Sequence, residues 1–357
     1  MKSRYEAKTI HFIQPQLSHV SGGSIYNLEI VKRLEQSARG KGFFYALNSP
    51  VLELIERFNA WPSSCTFVLD GLYLTIPEFK AAVEKFSPYF QRIYLMLHYL
   101  ESRNIYYSNQ EKEALWTSEK LWLKAVNGII VPSWQMRDYL SSQGIEKDKI
   151  TVAFPGIEKV QVSRFSHPKK LSEDEPINLI TVGTFSQGKG QLDLVQMLAQ
   201  MQVKNFRLHL IGDCEQNASY TEEILAIIER SQIQDCIILH GYLPQQPMFD
   251  LFPQCDLYLS PSTYESYSMA TAEAVAHGLP VLAYATGAIV DWVEDSKNGI
   301  LIEPGKQEQF FKALTRLLTM RNELTQLQTN ALAHIANLSF NSWDKTYQDF
   351  LQAFNKD

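Results

Sequence analysis

The sequence lacks the features of a membrane-spanning, disulfide-stabilised or nucleic-acid-binding protein. No apolar run approaches the ~20 residues needed to cross a bilayer, and the N-terminal "MKSRYEAKTIHFIQ" has no long apolar core typical of a signal peptide. The four cysteines show no C-x-x-C spacing, and the 33 basic and 39 acidic residues form no block of one sign. We therefore expect a cytoplasmic protein without nucleic-acid partners, and peripheral contact with the inner face of the membrane stays open.

Short apolar runs instead alternate with helical patterns along the 357 residues, a length that favours two domains. Most of these runs are continuously apolar, which is typical of strands buried on both faces of a parallel sheet. Helical patterns between them indicate βαβ crossovers. The predicted strands are residues 9–13, 42–47, 66–70, 92–97, 128–131, 150–154, 177–183, 206–212, 236–241, 256–260, 280–284 and 299–302.

A polar stretch with two prolines, residues 158–178, separates the two series of strands. Such a composition is typical of a linker between domains. The sequence thus predicts an α/β protein with two doubly wound domains, residues 1–160 and 177–335, joined by a linker at 161–176. The last segment, 336–357, carries an amphipathic helix that Ser342 can cap.

The segment "VGTFSQGKG", residues 182–190, follows a predicted strand and precedes a predicted helix. Its G-x-x-x-x-G-K spacing fits a P-loop, but Gly190 stands where a P-loop has the serine or threonine that holds magnesium. Two interpretations follow from the residues alone. The segment is either a damaged P-loop or a different phosphate-binding loop.

A second pattern follows the strand "DLYLS". Glu265 stands just before a predicted helix that starts around Ser266–Ser268 and stops at Gly278, and Glu273 lies inside it. Unpaired main-chain N–H groups at residues 266–268 would make the helix start an anion site, while carboxylates can accept hydrogen bonds from hydroxyls. Sugar nucleotides present both groups.

These motifs resemble glycosyltransferase family 4. "PSTYES…EAVAHGLPV" is similar to the family's E-x7-E signature, and "VGTFSQGKG" is similar to its donor-phosphate loop. "SGGSIYNLEIVKRL" resembles the family's Gly-Gly turn and first helix, and "FNSWDKTYQDFLQAF" resembles its terminal helix. The matching motifs occur in the family's order over most of the chain.

The resemblance implies the GT-B fold, in which two Rossmann-like domains face a central cleft and the C-terminal helix crosses back to the N-terminal domain. It implies a retaining, metal-independent transfer from a nucleoside-diphosphate sugar, which is the donor substrate rather than a cofactor. The acceptor would be a glycan, a lipid or a small metabolite. The D-x-D triplet that marks metal binding in the other major glycosyltransferase fold does not occur. The sequence says nothing about oligomeric state.

The resemblance also implies roles for individual residues. Glu265 would bind hydroxyls of the transferred sugar, Lys189 would neutralise the leaving diphosphate, and His98 would lie beside the transferred sugar and the acceptor. Glu273 would bind the ribose. The remaining implied contacts with the donor are Gly22 and Gly23 at the phosphates, Thr184 in the phosphate loop, Leu243 near the base, and main-chain donors of Ser266, Tyr267 and Ser268.

The sequence departs from the family at three places, one of which is Gly287-Ala288 and Asp291 in place of a more typical Gly-Gly and Glu. The family often has an arginine directly after "VG" in the phosphate loop, where this chain has Thr184, and the usual glycines after Glu265 are Ser266 and Ser268. Alternative interpretations therefore stay open. Glu273 and Lys189 could be ordinary surface residues, Gly22–Gly23 a plain connection and His98 a structural histidine. Two further alternatives are a GT-B protein that binds without turnover and a Rossmann dehydrogenase, although no G-x-G-x-x-G follows a strand.

The helix predicted over 113–126 interleaves two tryptophans with lysines. Such a pattern fits either a membrane-surface helix or a helix with one face in the core. The tyrosines Tyr106 and Tyr107 could stack on an acceptor sugar or simply fill their loop.

Overall fold

The structure is a computed structural model that describes residues 9–17, 20–45, 50–157, 172, 174–202 and 204–355. It divides the chain into two compact units, Met1–Gly156 with Asn341–Asp357, and Ile157–Phe340. Of the predicted linker, residues 161–171 and 173 lie outside the described residues.

The first unit contains a six-stranded parallel sheet with the strand order β2-β1-β3-β4-β5-β6. Its strands are β1 (Ile10–Pro15), β2 (Gly40–Tyr45), β3 (Thr66–Asp70), β4 (Ile93–Met96), β5 (Gly128–Val131) and β6 (Ile150–Val152). Its helices are α1 (Gly22–Gln36), α2 (Pro50–Ala60), α3 (Pro77–Ala81), α4 (Asn109–Ala125), α5 (Trp134–Ser142) and, from the end of the chain, α13 (Trp343–Gln352).

The second unit contains another six-stranded parallel sheet with the order β12-β11-β10-β7-β8-β9. Its strands are β7 (Ile177–Val182), β8 (Phe206–Ile211), β9 (Ile237–Gly241), β10 (Leu257–Ser260), β11 (Val281–Tyr284) and β12 (Gly299–Ile302). Its helices are α6 (Gln191–Ala199), α7 (Ala218–Arg230), α8 (Gln245–Leu251), α9 (Met269–Ala276), α10 (Ile289–Trp292), α11 (Gln307–Thr319) and α12 (Arg321–Ile335).

All twelve predicted strands are confirmed, each to within two residues at its described ends. Burial explains why the apolar runs were informative: every residue of β1, β3, β4, β5, β10 and β11 is buried. Strands covered by helices on both faces have no polar face, so their sequences do not alternate.

The C-terminal helix α13 packs within the first unit. Ser342 caps it by accepting a hydrogen bond from the N–H of Lys345 at 3.2 Å. The Tyr347 hydroxyl lies 2.6 Å from the Ser37 hydroxyl just after α1, and Phe350 stacks on Phe12 of β1 with ring centroids 6.2 Å apart. The predicted apolar stripe thus covers α1 and the sheet.

Helix α4 has one face in the core of the first unit. Trp122 is fully buried and stacks on Phe79 with ring centroids 4.5 Å apart, whereas Lys120 lies 5.6 Å from the centroid of the half-buried Trp116 ring. Core packing therefore accounts for Trp122. Among the described residues, no helix has both the length and the apolar content that a bilayer crossing requires.

Candidate functional site

The segment "VGTFSQGKG" forms a loop at the carboxyl end of β7. A short 3₁₀ turn, Gln187–Lys189, leads to α6. The buried side-chain amide of Gln191 donates hydrogen bonds to the carbonyl oxygens of Gly183 and Thr184, each at 3.1 Å. The start of the loop is therefore fixed through its main chain, and Thr184 is held by its carbonyl group.

Gly190 closes this loop in a left-handed conformation, with φ of 72°. A Cβ atom at this position would lie 2.4 Å from the carbonyl oxygen of Pro261, directly after β10. The N–H of Thr263 also donates to the carbonyl oxygen of Gly188 at 3.0 Å, so the loops after β7 and β10 are joined through their backbones. A serine or threonine cannot occupy position 190 without moving this neighbour. The glycine that departs from the P-loop pattern is therefore required by packing.

A second glycine brings the loop after β11 to the same edge of the sheet. Gly287 has φ of 52°, and a Cβ there would lie 1.9 Å from the carbonyl oxygen of Glu265. The Thr286 hydroxyl accepts a hydrogen bond from the Glu265 N–H at 3.2 Å. The N–H of Glu265 is thereby hydrogen-bonded to Thr286, and the carbonyl group of Glu265 packs against Gly287.

Lys189 and Glu265 meet at this edge as an ion pair. The distance from Lys189 Nζ to Glu265 Oε1 is 2.5 Å, and the side chains are 33% and 10% exposed. An ammonium group has three donors, so one pair with Glu265 leaves it the capacity to bind a further anion. The structure thus places the predicted phosphate-binding cation directly beside the predicted sugar-binding carboxylate.

Helix α9 begins later than predicted, at Met269 rather than around Ser266–Ser268. Of the predicted residues 266–268, Ser268 therefore stands at the helix start, and the free amides that follow belong to residues 269–271 rather than to Ser266 and Tyr267. Ser268 is the N-cap residue, and its φ of 66° is in the left-handed region that favours glycine. This conformation explains why glycine suits the position in the family that the sequence resembles.

Tyr267 contributes to the core rather than to an open loop. It is 3% exposed, its ring centroid lies 4.8 Å from that of Trp292, and its carbonyl oxygen accepts a hydrogen bond from Trp292 Nε1 at 3.5 Å. The side chain of Ser266 is half-buried. These contacts fix the course of the main chain between Glu265 and α9.

Glu273 lies on α9 with only 5% exposure, so the alternative of an ordinary surface glutamate is wrong. Its Oε1 accepts a hydrogen bond from Gln245 Nε2 at 3.1 Å. Gln245 is the first residue of α8 and follows Leu243 by two positions, so the predicted base-contacting and ribose-binding segments are joined here. The sequence reasoning missed Gln245. Its signal was its place just beyond the carboxyl end of β9, where ligands of parallel sheets bind.

In the first unit, Gly22 and Gly23 form the first turn of α1 rather than a separate turn before it. Ser21 caps the helix by accepting from the Ser24 N–H at 3.2 Å. A Cβ at Gly23 would lie 3.2 Å from two carbon atoms of the His98 ring. The missing side chain of Gly23 therefore leaves space for the imidazole.

His98 lies two residues beyond β4 and is half-buried. Its Nε2 is 2.7 Å from Asn27 Oδ1, and Asn27 Nδ2 donates to Asp70 Oδ2 at 2.6 Å. Burial lowers the pKa of His98 to about 4 and raises the pKa of Asp70 to about 6. A histidine with that pKa is neutral at pH 7. Asn27 and Asp70 were missed, although Asp70 ends a strand beside the one that leads to His98.

Among the described residues, no cluster of three or more His, Cys, Asp or Glu side chains could hold a metal ion. The charged groups of the predicted site in the second unit are one lysine, Lys189, and two glutamates, Glu265 and Glu273. This arrangement offers a cation for phosphate and carboxylates for hydroxyls.

Two parallel, doubly wound units, with the terminal helix returned to the first, define the GT-B class. Solved structures show the same fold. Sucrose-phosphate synthase from Thermosynechococcus elongatus aligns with a TM-score of 0.75 at 18% identity, over 97% of this chain and 98% of that one. HepE from Anabaena, crystallised with UDP-glucose, aligns with a TM-score of 0.67 at 18% identity, over 98% and 100% of the two chains.

The sequence of the second unit matches a known family model. The model of the glycosyl transferases group 1 family matches residues 162–334, as the resemblance of the motifs predicted. The putative colanic acid biosynthesis glycosyltransferase WcaL of Escherichia coli K12 is 25% identical over 221 residues, which are 60% of this chain and 50% of that protein. The chain spans about half the length of curated relatives that it matches.

Proposed function

We propose that the protein is a retaining, metal-independent glycosyltransferase that moves a sugar from a nucleoside-diphosphate sugar to a glycosyl acceptor. The observation that carries the proposal is the ion pair of Lys189 and Glu265 at 2.5 Å, with the buried Glu273 on the helix that follows. This arrangement supplies one cation and two carboxylates at the carboxyl edge of a parallel sheet. The UDP-glucose of the Anabaena protein belongs to the same class of donor.

Lys189 would act on the leaving group. As the bond between the anomeric carbon and the diphosphate oxygen breaks, its electron pair stays on that oxygen, and negative charge accumulates there. A lysine that the fold already holds in place stabilises this charge more in the transition state than in the ground state. We assign to Lys189 the role that a metal ion has in other transferases.

Glu265 would accept hydrogen bonds from hydroxyls of the transferred sugar, and Glu273 from the ribose hydroxyls. Both are acceptor-only groups when ionised, so they match a ligand that presents hydroxyl donors. The acceptor oxygen would attack the anomeric carbon from the face that the diphosphate leaves. Its proton would pass to the departing phosphate oxygen, which gives a product with retained configuration.

A thermal-shift panel tests the donor class. We expect one or more of the UDP-, GDP- and ADP-sugars to raise the melting temperature, because a ligand that binds only the folded state stabilises it. Stabilisation by NAD and by none of the sugar nucleotides would contradict the proposal and favour a dehydrogenase.

Turnover is tested with the donor that binds. Release of nucleoside diphosphate should persist in excess EDTA, and NMR of the product should show the anomeric configuration of the donor. Absence of release with all donors, together with unchanged donor binding by Glu273→Ala, would indicate a GT-B protein that binds without turnover.

A further inference from the structure

We infer that Asp70 and Asn27 are positioning residues that hold the proton of neutral His98 on Nε2 and leave Nδ1 to accept a hydrogen bond from a substrate hydroxyl. The inference rests on the proposed function for the identity of that hydroxyl. The position of the proton follows from the first unit alone.

The chain of hydrogen bonds begins at Asp70, the last residue of β3. Its Oδ1 accepts from the N–H of Leu72 at 2.8 Å and its Oδ2 accepts from Asn27 Nδ2 at 2.6 Å. An ionised carboxylate only accepts hydrogen bonds, so it requires the NH₂ group of Asn27 to face it. Asp70 thereby determines the orientation of the Asn27 amide.

Asn27 then presents its oxygen to His98. Asn27 is fully buried, and its Oδ1 lies 2.7 Å from His98 Nε2. An amide oxygen cannot donate, so the hydrogen of this bond must belong to Nε2. In a neutral imidazole only one nitrogen carries a proton, and Nδ1 is therefore an acceptor. The low pKa of His98, about 4, keeps the ring in this neutral form.

The ring itself is held by packing. Its Cγ and Cδ2 atoms face Gly23 on the first turn of α1, and its centroid is 5.0 Å from that of the buried Tyr26 in an edge-on arrangement. Among the described residues, the hydrogen bond through Nε2 is the one that the ring makes. Orientation and tautomer are thus determined by the same helix and strand.

The same geometry predicts how the tautomer can be inverted. In Asp70→Asn, an oxygen of Asn at position 70 can still accept from the Leu72 N–H, but its NH₂ group faces Asn27. The Asn27 amide must then rotate to accept this bond and turns its own NH₂ group toward His98. Nε2 becomes the acceptor, and the proton moves to Nδ1.

The test is ¹⁵N NMR of the full chain labelled with ring-¹⁵N histidine, in which long-range couplings distinguish a protonated from an unprotonated ring nitrogen. The sequence has eight histidines, and the spectrum of His98→Gln assigns the signal of His98. We expect protonated Nε2 in the wild type and protonated Nδ1 in Asp70→Asn. Protonated Nδ1 in the wild type would overturn the inference even if Asp70→Asn does not fold.

Glu119→Gln is the matched control. Glu119 is another buried carboxylate of the first unit, and it accepts a hydrogen bond from the N–H of Glu101 at 2.8 Å and none from His98. The same change from acid to amide there should leave the His98 tautomer as in the wild type. An inverted tautomer in both variants would show a general loosening of the unit and would contradict the assignment.

Kinetics then test the role in transfer. Asp70→Asn should lower kcat about tenfold or more and leave the donor KM within about twofold, because a misplaced proton affects the reacting geometry more than donor binding. Unchanged kcat with an inverted tautomer would contradict the role of His98 Nδ1. The expected tautomer in a protein without turnover would instead contradict the proposed function.

Discussion

Both units are built on a six-stranded parallel sheet, with different strand orders, and they organise their polar residues in opposite ways. In the first unit, His98, Asn27 and Asp70 form a hydrogen-bonded chain in which neutral groups follow a single buried carboxylate. In the second unit, Lys189 and Glu265 form an ion pair at a partly exposed edge. The first arrangement determines where a proton lies, and the second determines where charge lies.

The backbone shows the same contrast at two glycines. Gly23 of the first unit faces the side chain of His98, and a Cβ atom added to Gly23 would lie 3.2 Å from the imidazole ring. Gly190 of the second unit has φ of 72°, and a Cβ atom added to it would lie 2.4 Å from the carbonyl oxygen of Pro261. A side chain can shift by a few tenths of an ångström, whereas the backbone between two strands cannot do so without disturbing the sheet.

The largest effect is therefore expected for Gly190→Ala. Left-handed strain alone costs about 1–2 kcal/mol, and the contact with Pro261 adds to it, so we expect the second unit to lose more than about 2 kcal/mol of unfolding free energy. Chemical denaturation followed by the tryptophan of that unit, Trp292, measures this loss.

Two further glycine-to-alanine variants separate the backbone strain at Gly190 from its contact with Pro261. Gly305 has φ of 84° with nothing within 4 Å of its Cβ position, so Gly305→Ala should show the strain alone. Gly23→Ala should change the stability of the first unit by less than about 1 kcal/mol, since alanine favours the helix while His98 adjusts. Equal losses for Gly190→Ala and Gly305→Ala would show that the contact with Pro261 is unimportant.

Lys189→Ala should have the next largest effect. Removing the cation leaves the leaving-group charge unmatched, so we expect kcat to fall by about tenfold or more without unfolding of the protein. Lys312→Ala is the control, because Lys312 also pairs with a glutamate, Glu308, but on the exposed face of α11. Activity of Lys189→Ala within about twofold of that control would remove the lysine from the mechanism.

Glu273→Gln should have a smaller effect on donor binding. The amide keeps one acceptor oxygen and loses the charge, a change worth about 1 kcal/mol or a roughly fivefold higher donor KM. Glu308→Gln tests the same substitution on an exposed helix face and should leave the donor KM unchanged. An identical donor KM in both variants would exclude Glu273 from the donor site.

The smallest effect is expected for Ser268→Gly. At a φ of 66° the serine backbone is strained, whereas a glycine backbone would not be, and this difference favours the variant. The greater conformational entropy of glycine in the unfolded chain partly offsets this gain. A gain of up to about 1 kcal/mol in unfolding free energy should result. Gln232→Gly, at φ of 53° outside the site, should show a similar gain. A loss at Ser268 alone would indicate that the hydrogen bond between the Ser268 and Thr271 hydroxyls, at 2.8 Å, outweighs the relief of strain.

The strands and the charged site were predictable because they depend on local signals. Continuous apolar runs mark buried parallel strands, and a lysine or glutamate just beyond such a strand lies at the edge where ligands bind. Lys189 and Glu265 lie at such positions, the resemblance to the family implied their roles, and the structure brings the two side chains together.

The missed residues depend on contacts that are distant in the sequence. Asn27 and Asp70 are 43 positions apart, and each is unremarkable within its own helix or strand. Gly190 is explained by Pro261, which no local pattern connects to it. The start of α9 was misplaced because the left-handed conformation of Ser268 delays the helix, and a serine gives no signal of that conformation.

The most direct test of the central claim is calorimetric titration of UDP, GDP and ADP into the wild type, Lys189→Ala and Glu273→Gln, with Lys312→Ala as control. The account predicts that at least one nucleoside diphosphate binds the wild type and the control equally, and that both site variants bind it more weakly. Binding of none of the three to the wild type, or equal binding to all four proteins, would contradict the assignment of the donor site to Lys189, Glu265 and Glu273.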